Sequence, residues 1–244
     1  MDQHKVVTRE EWTAARKALL VKEKELTRLN DKLAAERRQL PWVRVDKPYT
    51  FDTAEGKATL ADLFNGRSQL IVQHFMLGPG WDAGCVGCSF GSDHIEGALV
   101  HLKQRDVSYV RISRAPLAEI EAYNRRMGWS ARWVSSFGSD FNYDFNVSFR
   151  EGDAKVTYNY AEIDYPGVTE HPGFSIFAKN EQGEILHTYS TFGRGDEATL
   201  VTYFFLDLTP KGRDEKEGME WVKRHDEYEG TTKASSCCAH EAAE

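Results

Sequence analysis

The chain has 244 residues, of which 41% are hydrophobic, 12% aromatic and 28% charged, the balance of a globular protein rather than of a disordered or fibrous one. Its 31 Lys and Arg residues stand against 38 Asp and Glu residues, a net charge of −7 at pH 7, so no basic surface for nucleic acid is expected. No apolar run approaches the roughly 20 residues of a membrane span, and the start MDQHKVVTREEW lacks the apolar core of a signal peptide. We therefore expect a cytoplasmic protein.

The first segment, residues 1–41, is predicted to be an amino-terminal helical arm. Thr8 and Glu11 have the spacing of a capping box. Apolar residues then follow at steps of three and four: Trp12, Ala15, Leu19, Leu26, Leu29, Leu33 and Leu40. Lys22 and Glu36 interrupt this stripe, which favours packing of the arm against the body over a coiled coil with a second copy. A homodimer through this helix stays open.

The body, residues 42–210, begins with alternating strands and helices. A hairpin is expected around residues 49–56 and a helical turn at residues 59–64. The run LIVQHFML, residues 70–77, predicts a strand that is buried on both faces. A helix over residues 85–105, a strand over 107–112 and a helix over 117–127 follow. This order implies two parallel strands joined by right-handed crossovers.

Later residues predict antiparallel structure. The segments FSIFA and ILHTY, residues 174–178 and 185–189, flank the turn sequence NEQG and predict a hairpin. A last helix of the body is expected over residues 197–206. Residues 211–244 form a charged extension with one short helix over 219–228, and the chain after about residue 230 is expected to be disordered.

Cys85 and Cys88 are the candidate catalytic residues. Two residues between cysteines on a first helical turn bring their sulfurs close enough to form a disulfide. The free N–H groups and the positive dipole end of the helix favour a thiolate on Cys85. We expect Cys85 to attack a substrate disulfide and Cys88 to resolve the mixed disulfide that forms.

The sequence around this pair resembles thioredoxin-fold proteins over residues 68–195, and more narrowly the bacterial thioredoxin-like family called domain of unknown function 899. The narrower resemblance is carried by four features: the C-x-x-C after LIVQHFML, Ser135-Ser136 before DFN, His171-Pro172 before FSIFA, and WVKRHDEY at residues 221–228. It implies an α/β fold, a thioredoxin-like mixed sheet flanked by helices, with the amino-terminal arm added. It also implies that Pro172 is a cis-proline facing the active-site helix and that the backbone at His171 pairs with an extended substrate. Trp81, His171 and Pro172 are therefore the predicted substrate-binding residues.

This sequence departs from the thioredoxin pattern at three places. The strand before the motif offers Gln73 and His74 where thioredoxins carry a buried carboxylate; His74 is expected either to assist proton transfer or to be a hydrogen-bonded core residue. Three residues separate Trp81 from Cys85, so the entrance loop is longer. Asp82 stands where peroxide-reducing relatives carry Thr or Ser. Because that hydroxyl is absent, a peroxiredoxin-like peroxide reductase is only the alternative interpretation.

A metal-binding or metallochaperone module is the non-enzymatic alternative. Zinc normally needs four ligands, and the sequence has no second C-x-x-C. Copper needs fewer, and His171 is a candidate third ligand. The segment DFNYDFN, residues 140–146, has oxygen ligands at calcium-loop spacing, but Phe145 replaces the required glycine. Its alternating aromatic residues favour a strand or loop near the site.

Three further features have two interpretations each. Cys237 and Cys238 are either a second redox station or part of an idle tail. His94 either tunes a thiolate or is solvated, and Arg194 is either a substrate contact or a surface residue. No bound cofactor is expected, because no strand is followed by a glycine-rich dinucleotide fingerprint. The sequence as a whole predicts a cytoplasmic dithiol–disulfide oxidoreductase that acts on a protein or small-molecule disulfide and draws on an electron donor, with no nucleic-acid or membrane partner.

Overall fold

An eight-stranded mixed sheet forms the centre of the computed structural model, which describes residues 4–230. The strands are β1 (Val43–Arg44), β2 (Thr50–Thr53), β3 (Gly56–Thr59), β4 (Gln69–His74), β5 (Val107–Ser113), β6 (Arg132–Ser135), β7 (Lys155–Tyr158), β8 (Ala161–Asp164), β9 (Gly173–Lys179) and β10 (Ile185–Phe192). The helices are α1 (Arg9–Arg37), α2 (Leu60–Leu63), α3 (Val86–Glu96), α4 (Leu99–Gln104), α5 (Leu117–Met127), α6 (Phe141–Asp144) and α7 (Val201–Leu206). Two 3₁₀ helices span Gly193–Thr199 and His225–Glu227.

The strand order is β1-β10-β9-β4-β5-β6-β2-β3, and β7 and β8 form a separate hairpin. Strand β4 is parallel to β5, which is parallel to β6. On its other side β4 pairs antiparallel with β9, and β9 pairs antiparallel with β10. A parallel strand–helix–strand unit with an antiparallel hairpin beside its first strand is the thioredoxin arrangement. The predicted α/β fold with a thioredoxin-like mixed sheet is confirmed.

Strand β4 is buried on both faces, as its continuous apolar sequence predicts. Leu70 and Val72 point into one layer, where they pack with residues of α2 and α6. Ile71 points the other way, toward a layer that contains Ile95 of α3 and Leu99 of α4. Because β4 is held in this way, the loop that follows it starts from a rigid position in the middle of the sheet.

Helix α1 begins as predicted and packs differently from the prediction. Thr8 and Glu11 form the capping box, in which each side chain accepts a hydrogen bond from the other residue's backbone N–H. No residue of α1 is buried. Near its end the Arg37 guanidinium lies 4.8 Å from the Tyr189 ring centroid. The expectation that the arm packs along the body is therefore wrong: its interrupted stripe faces outward.

Three expectations about helices are corrected. The helix over residues 85–105 is two helices, α3 and α4, because Gly97 is a poor helix former. The helix over residues 197–206 starts only at Val201, since Leu200 has non-helical angles (φ −94°, ψ 70°). Residues 219–228 contain only a 3₁₀ turn, and Met219 has φ 70°.

The aromatic segment at residues 141–149, expected to be a strand or a loop, is a helical turn followed by a loop. Phe141 and Phe145 are four residues apart, so one turn brings their rings to 4.6 Å between centroids. Asn146 has φ 54° and ends the turn. Aromatic residues at every second position are also four positions apart, so the same sequence fits a strand and a helical turn.

None of the helices in residues 4–230 is long and apolar enough to cross a lipid bilayer. Cys237 and Cys238, and the expected disorder after residue 230, lie outside the described residues.

Candidate active site

Cys85 is the residue immediately before α3, in the loop that leaves β4. Its backbone N–H donates to the Met76 carbonyl at 3.0 Å. Its carbonyl accepts the backbone N–H and the hydroxyl of Ser89, at 3.0 and 2.8 Å. These bonds fix the sulfur at the entrance of the helix. Cys85 is half-buried, Cys88 is buried one turn further along, and both thiols are free.

The two thiols have opposite electrostatic environments. The pKa of Cys85 is lowered to about 6, chiefly by a hydrogen bond from the Cys88 thiol. The backbone N–H groups of Cys88 and Gly87 and the positive charge of Arg224 lower it further, while burial opposes the shift. The pKa of Cys88 is raised by its bond to Cys85 and by burial. At neutral pH this pair is a thiolate at Cys85 beside a protonated thiol at Cys88.

Both cysteines line a cavity of about 470 Å³. Pro172 and the start of β9 form one wall. The chain after the last strand forms the roof, through the 3₁₀ helix Gly193–Thr199 and the first turn of α7. Met219 closes the side over α3, where a Cβ on Gly87 would lie 3.1 Å from the Met219 methyl group. The cysteine pair therefore opens into a partly covered pocket rather than onto a flat surface.

The charged extension, residues 211–230, forms a C-terminal strap across the amino-terminal end of α3. Arg224 donates two hydrogen bonds to the Gly84 carbonyl, from Nε at 3.0 Å and from Nη2 at 2.6 Å. Its remaining nitrogen pairs with Glu227 at 2.8 Å. The strap therefore contacts the residue that immediately precedes Cys85.

Two further contacts anchor the strap on neighbouring helices. His225 Nδ1 lies 2.7 Å from a carboxylate oxygen of Asp93 on α3. Arg126 on α5 pairs with Asp226 and Glu227, both at 2.8 Å. Asp93 therefore lies on the side of α3 that the strap contacts.

The predicted substrate-binding residues lie in different places. Pro172 lines the cavity with the cysteines. The predicted cis bond is wrong: no peptide bond between residues 4 and 230 is cis, and trans is the lower-energy isomer. The His171 N–H donates to the Val147 carbonyl at 2.8 Å, so this N–H is already paired within the chain. Trp81 packs against an aromatic cluster around Phe75. Neither Trp81 nor His171 is among the described residues that line the cavity.

Gln73 and His74 are held in buried hydrogen bonds. The Gln73 carbonyl oxygen accepts the hydroxyls of Ser92, at 3.1 Å, and Tyr109. His74 Nε2 lies 2.7 Å from the Ser175 hydroxyl, and burial lowers the pKa of His74 to about 3. His74 lines the cavity but is neutral and hydrogen-bonded in the core, which favours the second of its two expected roles.

A carboxylate that the sequence analysis missed lines the cavity. Asp196 lies in the 3₁₀ helix of the roof, and burial raises its pKa to about 6. Its negative charge contributes to the raised pKa of Cys88, which places the two groups within electrostatic reach. No local pattern marks Asp196, because the chain brings it to the site only after both strands of the last hairpin. Arg224 was equally unassigned, although it lies within the WVKRHDEY segment.

The remaining candidates have ordinary partners. Lys47 binds Asp140 and Asp144 at 2.9 and 2.6 Å, so the calcium-like segment is neutralised by a lysine. His94 Nε2 lies 2.6 Å from the Thr202 hydroxyl, so this nitrogen contacts the protein rather than solvent. Arg194 lines the cavity but is mostly exposed and paired with Glu197. Within residues 4–230 no three His, Cys, Asp or Glu side chains converge as a metal site would require.

No curated protein matches this chain. Among solved structures it is similar to peroxiredoxin Q of Xanthomonas campestris, with 10% identity and a TM-score of 0.45 over 68% of this chain and 94% of that one. It is also similar to peroxidoxin BcpB of Mycobacterium tuberculosis, with 12% identity and a TM-score of 0.44 over 67% and 95%. The family profile "Bacterial protein of unknown function (DUF899)" matches residues 1–228. The chain therefore belongs to the DUF899 family of bacterial proteins.

Proposed function

We propose that the protein is a dithiol–disulfide oxidoreductase in which Cys85 is the nucleophile and Cys88 the resolving thiol. One observation carries this proposal: a thiol with a pKa of about 6 lies at a helix amino terminus, hydrogen-bonded to a second, buried thiol, in the wall of a cavity. A structural cysteine pair needs neither the lowered pKa nor access to a cavity. The proposed location is the cytoplasm, where thiols are kept reduced and catalytic cysteine pairs act transiently as disulfides.

The reaction follows from the two protonation states. The Cys85 thiolate attacks one sulfur of a substrate disulfide, and the other sulfur leaves as a thiolate that takes a proton from water. Cys88 then loses its proton to water and attacks Cys85 Sγ, which expels the second substrate thiolate. The protein's two thiols become one disulfide while the substrate disulfide becomes two thiols.

The lowered pKa of Cys85 also affects the direction of exchange. Stabilising the thiolate stabilises the reduced protein and makes its disulfide a stronger oxidant. We expect a reversible two-electron couple between about −120 and −270 mV, the range of working oxidoreductases. Equilibration with glutathione or dithiothreitol buffers, followed by mass spectrometry, measures this potential.

Two substitutions test the roles of the cysteines. Cys85→Ser is expected to abolish exchange with a disulfide substrate, because no low-pKa thiolate remains. Cys88→Ser is expected to accumulate a mixed disulfide on Cys85, because nothing resolves it. The products are identified by mass spectrometry of the quenched reaction. If both variants exchange as fast as the wild type, the proposal is wrong.

A truncated chain that ends at Gly230 is the control for the tail. It keeps Cys85, Cys88 and the strap but lacks Cys237 and Cys238. Full activity shows that the tail cysteines are idle, whereas a large loss assigns them a relay role.

Treatment with hydrogen peroxide tests the peroxide-reductase alternative. Rapid conversion of Cys85 to a sulfenic acid, with slow disulfide exchange, would favour that activity instead.

A further inference from the structure

The cavity beside the cysteines restricts the size of a substrate. Its volume of about 470 Å³ is in the range of small-ligand sites, which is roughly 300–1,000 Å³. Cys88 is only 5% exposed, so a substrate disulfide must react at Cys85, which lines the cavity together with Met219 and the 3₁₀ helix Gly193–Thr199. The backbone N–H at His171, which an extended polypeptide would use, is already paired with Val147. These features favour a small disulfide over a disulfide in a folded protein.

The two arginines of the cavity are paired with carboxylates of the chain itself. Arg194 pairs with Glu197 at 2.9 Å. Arg213 pairs with Asp207 at 2.9 Å and stacks on the Tyr203 ring at 4.1 Å. An anionic substrate would compete with these carboxylates for the two cations.

The acidic groups of the cavity are not all neutralised. Glu215 accepts hydrogen bonds from the Tyr203 hydroxyl at 3.3 Å and the Met219 N–H at 3.1 Å. The Asp196 carboxylate has no side-chain hydrogen bond or ion pair with another residue in the described chain. A partly buried carboxylate without a cation is costly, and a cationic ligand would offset that cost.

We infer that the substrates are small disulfides bearing a cationic amine, and that Asp196 binds the amine while the disulfide reaches Cys85. This inference rests on the proposed function. Pro172, Phe174 and Leu200, also in the cavity wall, offer apolar contact to the methylene groups between amine and sulfur. Exchange reduces the substrate disulfide to two aminothiols and oxidises the two cysteines to the Cys85–Cys88 disulfide, a transfer of two electrons.

The experiment uses three small disulfides of similar length and different charge: cystamine, bis(2-hydroxyethyl) disulfide and 3,3′-dithiodipropionate. The reduced full-length protein is mixed with each in a single turnover, so no electron donor is needed. Each rate is divided by the rate of the same disulfide with free dithiothreitol, which corrects for the leaving thiols. We expect the corrected rate for cystamine to exceed that for the neutral disulfide by about tenfold, the effect of one charge-assisted hydrogen bond. The anionic disulfide is expected to be slowest.

Asp196→Asn is expected to reduce the cystamine-to-neutral ratio to about one, because the isosteric amide removes the charge alone. Asp164→Asn is the matched control: it removes the same charge from exposed strand β8, outside the cavity, and should leave the ratio unchanged. An unchanged ratio in Asp196→Asn, or no preference for cystamine in the wild type, overturns the inference.

The same rates separate the inference from the proposed function. If the wild type reacts with all three disulfides without preference and Cys85→Ser does not react, the function stands and the inference fails. If Cys85→Ser reacts as fast as the wild type, the function itself fails. Faster corrected exchange with a protein disulfide, such as that of insulin, would overturn the size argument.

Discussion

Arg224 acts on Cys85 in two ways, through the neighbouring residue Gly84 and through its own positive charge. Its two hydrogen bonds to the Gly84 carbonyl hold the loop before α3, and its charge favours the Cys85 thiolate. The hydrogen bond from Cys88 is the largest cause of the lowered pKa, and Arg224 adds to it. Arg224 is therefore a positioning residue, and removing its charge should weaken the thiolate without abolishing it.

We predict that Arg224→Gln raises the pKa of Cys85 above 6 but not to its ordinary value of 9. The wild-type thiol is expected to alkylate rapidly above pH 6 and to slow as the pH falls through 6, because protonation removes the nucleophile. In the variant this decline should begin at higher pH. The pH dependence of alkylation and of thiolate absorbance measures both. Arg125→Gln, on the exposed side of α5, is the control and should match the wild type.

At the level of residues, the sequence predicted the cysteine pair but not the groups that tune it. The spacing of Cys85 and Cys88 after a strand is a local pattern and can be recognised without a structure. Asp196 and Arg224 reach the site from a 3₁₀ helix and from the strap, where no periodicity marks them. Tertiary contacts alone place them there.

At the level of elements, the turn into α3 depends on a glycine that has no room for a side chain. A Cβ on Gly84 would lie 2.5 Å from Cε1 of Phe75 and 2.8 Å from Cε1 of Tyr123. Both rings belong to a buried cluster that includes Trp129 and Trp133, so they cannot move aside freely. Close packing of this loop on the aromatic cluster is what positions Cys85 above the sheet.

We predict that Gly84→Ala lowers the free energy of unfolding by about 1–3 kcal/mol, the usual cost of overpacking. Gly97→Ala is the control. A Cβ on Gly97 meets nothing within 4 Å and its φ is −69°, so the stability should be unchanged or rise by up to about 1 kcal/mol. Urea unfolding of the two variants gives both values. Equal midpoints for the two would contradict the packing argument.

Strand β4 and the β9–β10 hairpin were predictable because their signals are local, whereas β1, β6 and the β7–β8 hairpin were not predicted. The continuous apolar run at β4 and the turn sequence between β9 and β10 each predicted the element found. The helices were less predictable, because Gly97 and Leu200 divide what periodicity alone would join. The spacing of Phe141 and Phe145 fits both the two-residue period of a strand and one turn of a helix, and packing against the rest of the fold determined that the turn is helical.

At the level of the whole molecule, the two terminal segments have opposite arrangements. The strap was predicted to carry a short helix, but its chain is extended at Arg224 and bound to α3 and α5. Helix α1 was predicted to pack on the body, yet its residues are exposed. Neither outcome follows from local sequence, because each depends on whether a complementary surface exists elsewhere in the fold.

The exposed stripe of α1 predicts a homodimer that forms through this helix. Leu19, Leu26, Leu29 and Leu33 are 52%, 59%, 51% and 45% exposed, and they recur at helical spacing on one side. Although Lys22 and Glu36 interrupt this row, monomeric proteins rarely leave so many large apolar residues exposed along one helix, and a second copy of the helix would cover them. We expect the wild type to sediment as a dimer.

The double substitution Leu26→Asp and Leu33→Asp should produce a monomer, because two charges in the seam oppose pairing. The control Leu208→Asp places a charge on a residue that is 83% exposed and lies outside α1, and it should remain a dimer. Analytical ultracentrifugation of the three proteins at one concentration distinguishes them. A wild type that sediments as a monomer would contradict the prediction. The cysteine pair, the cavity and the strap all lie outside α1, so the monomeric variant should keep its exchange rate per chain even though the assembly is lost.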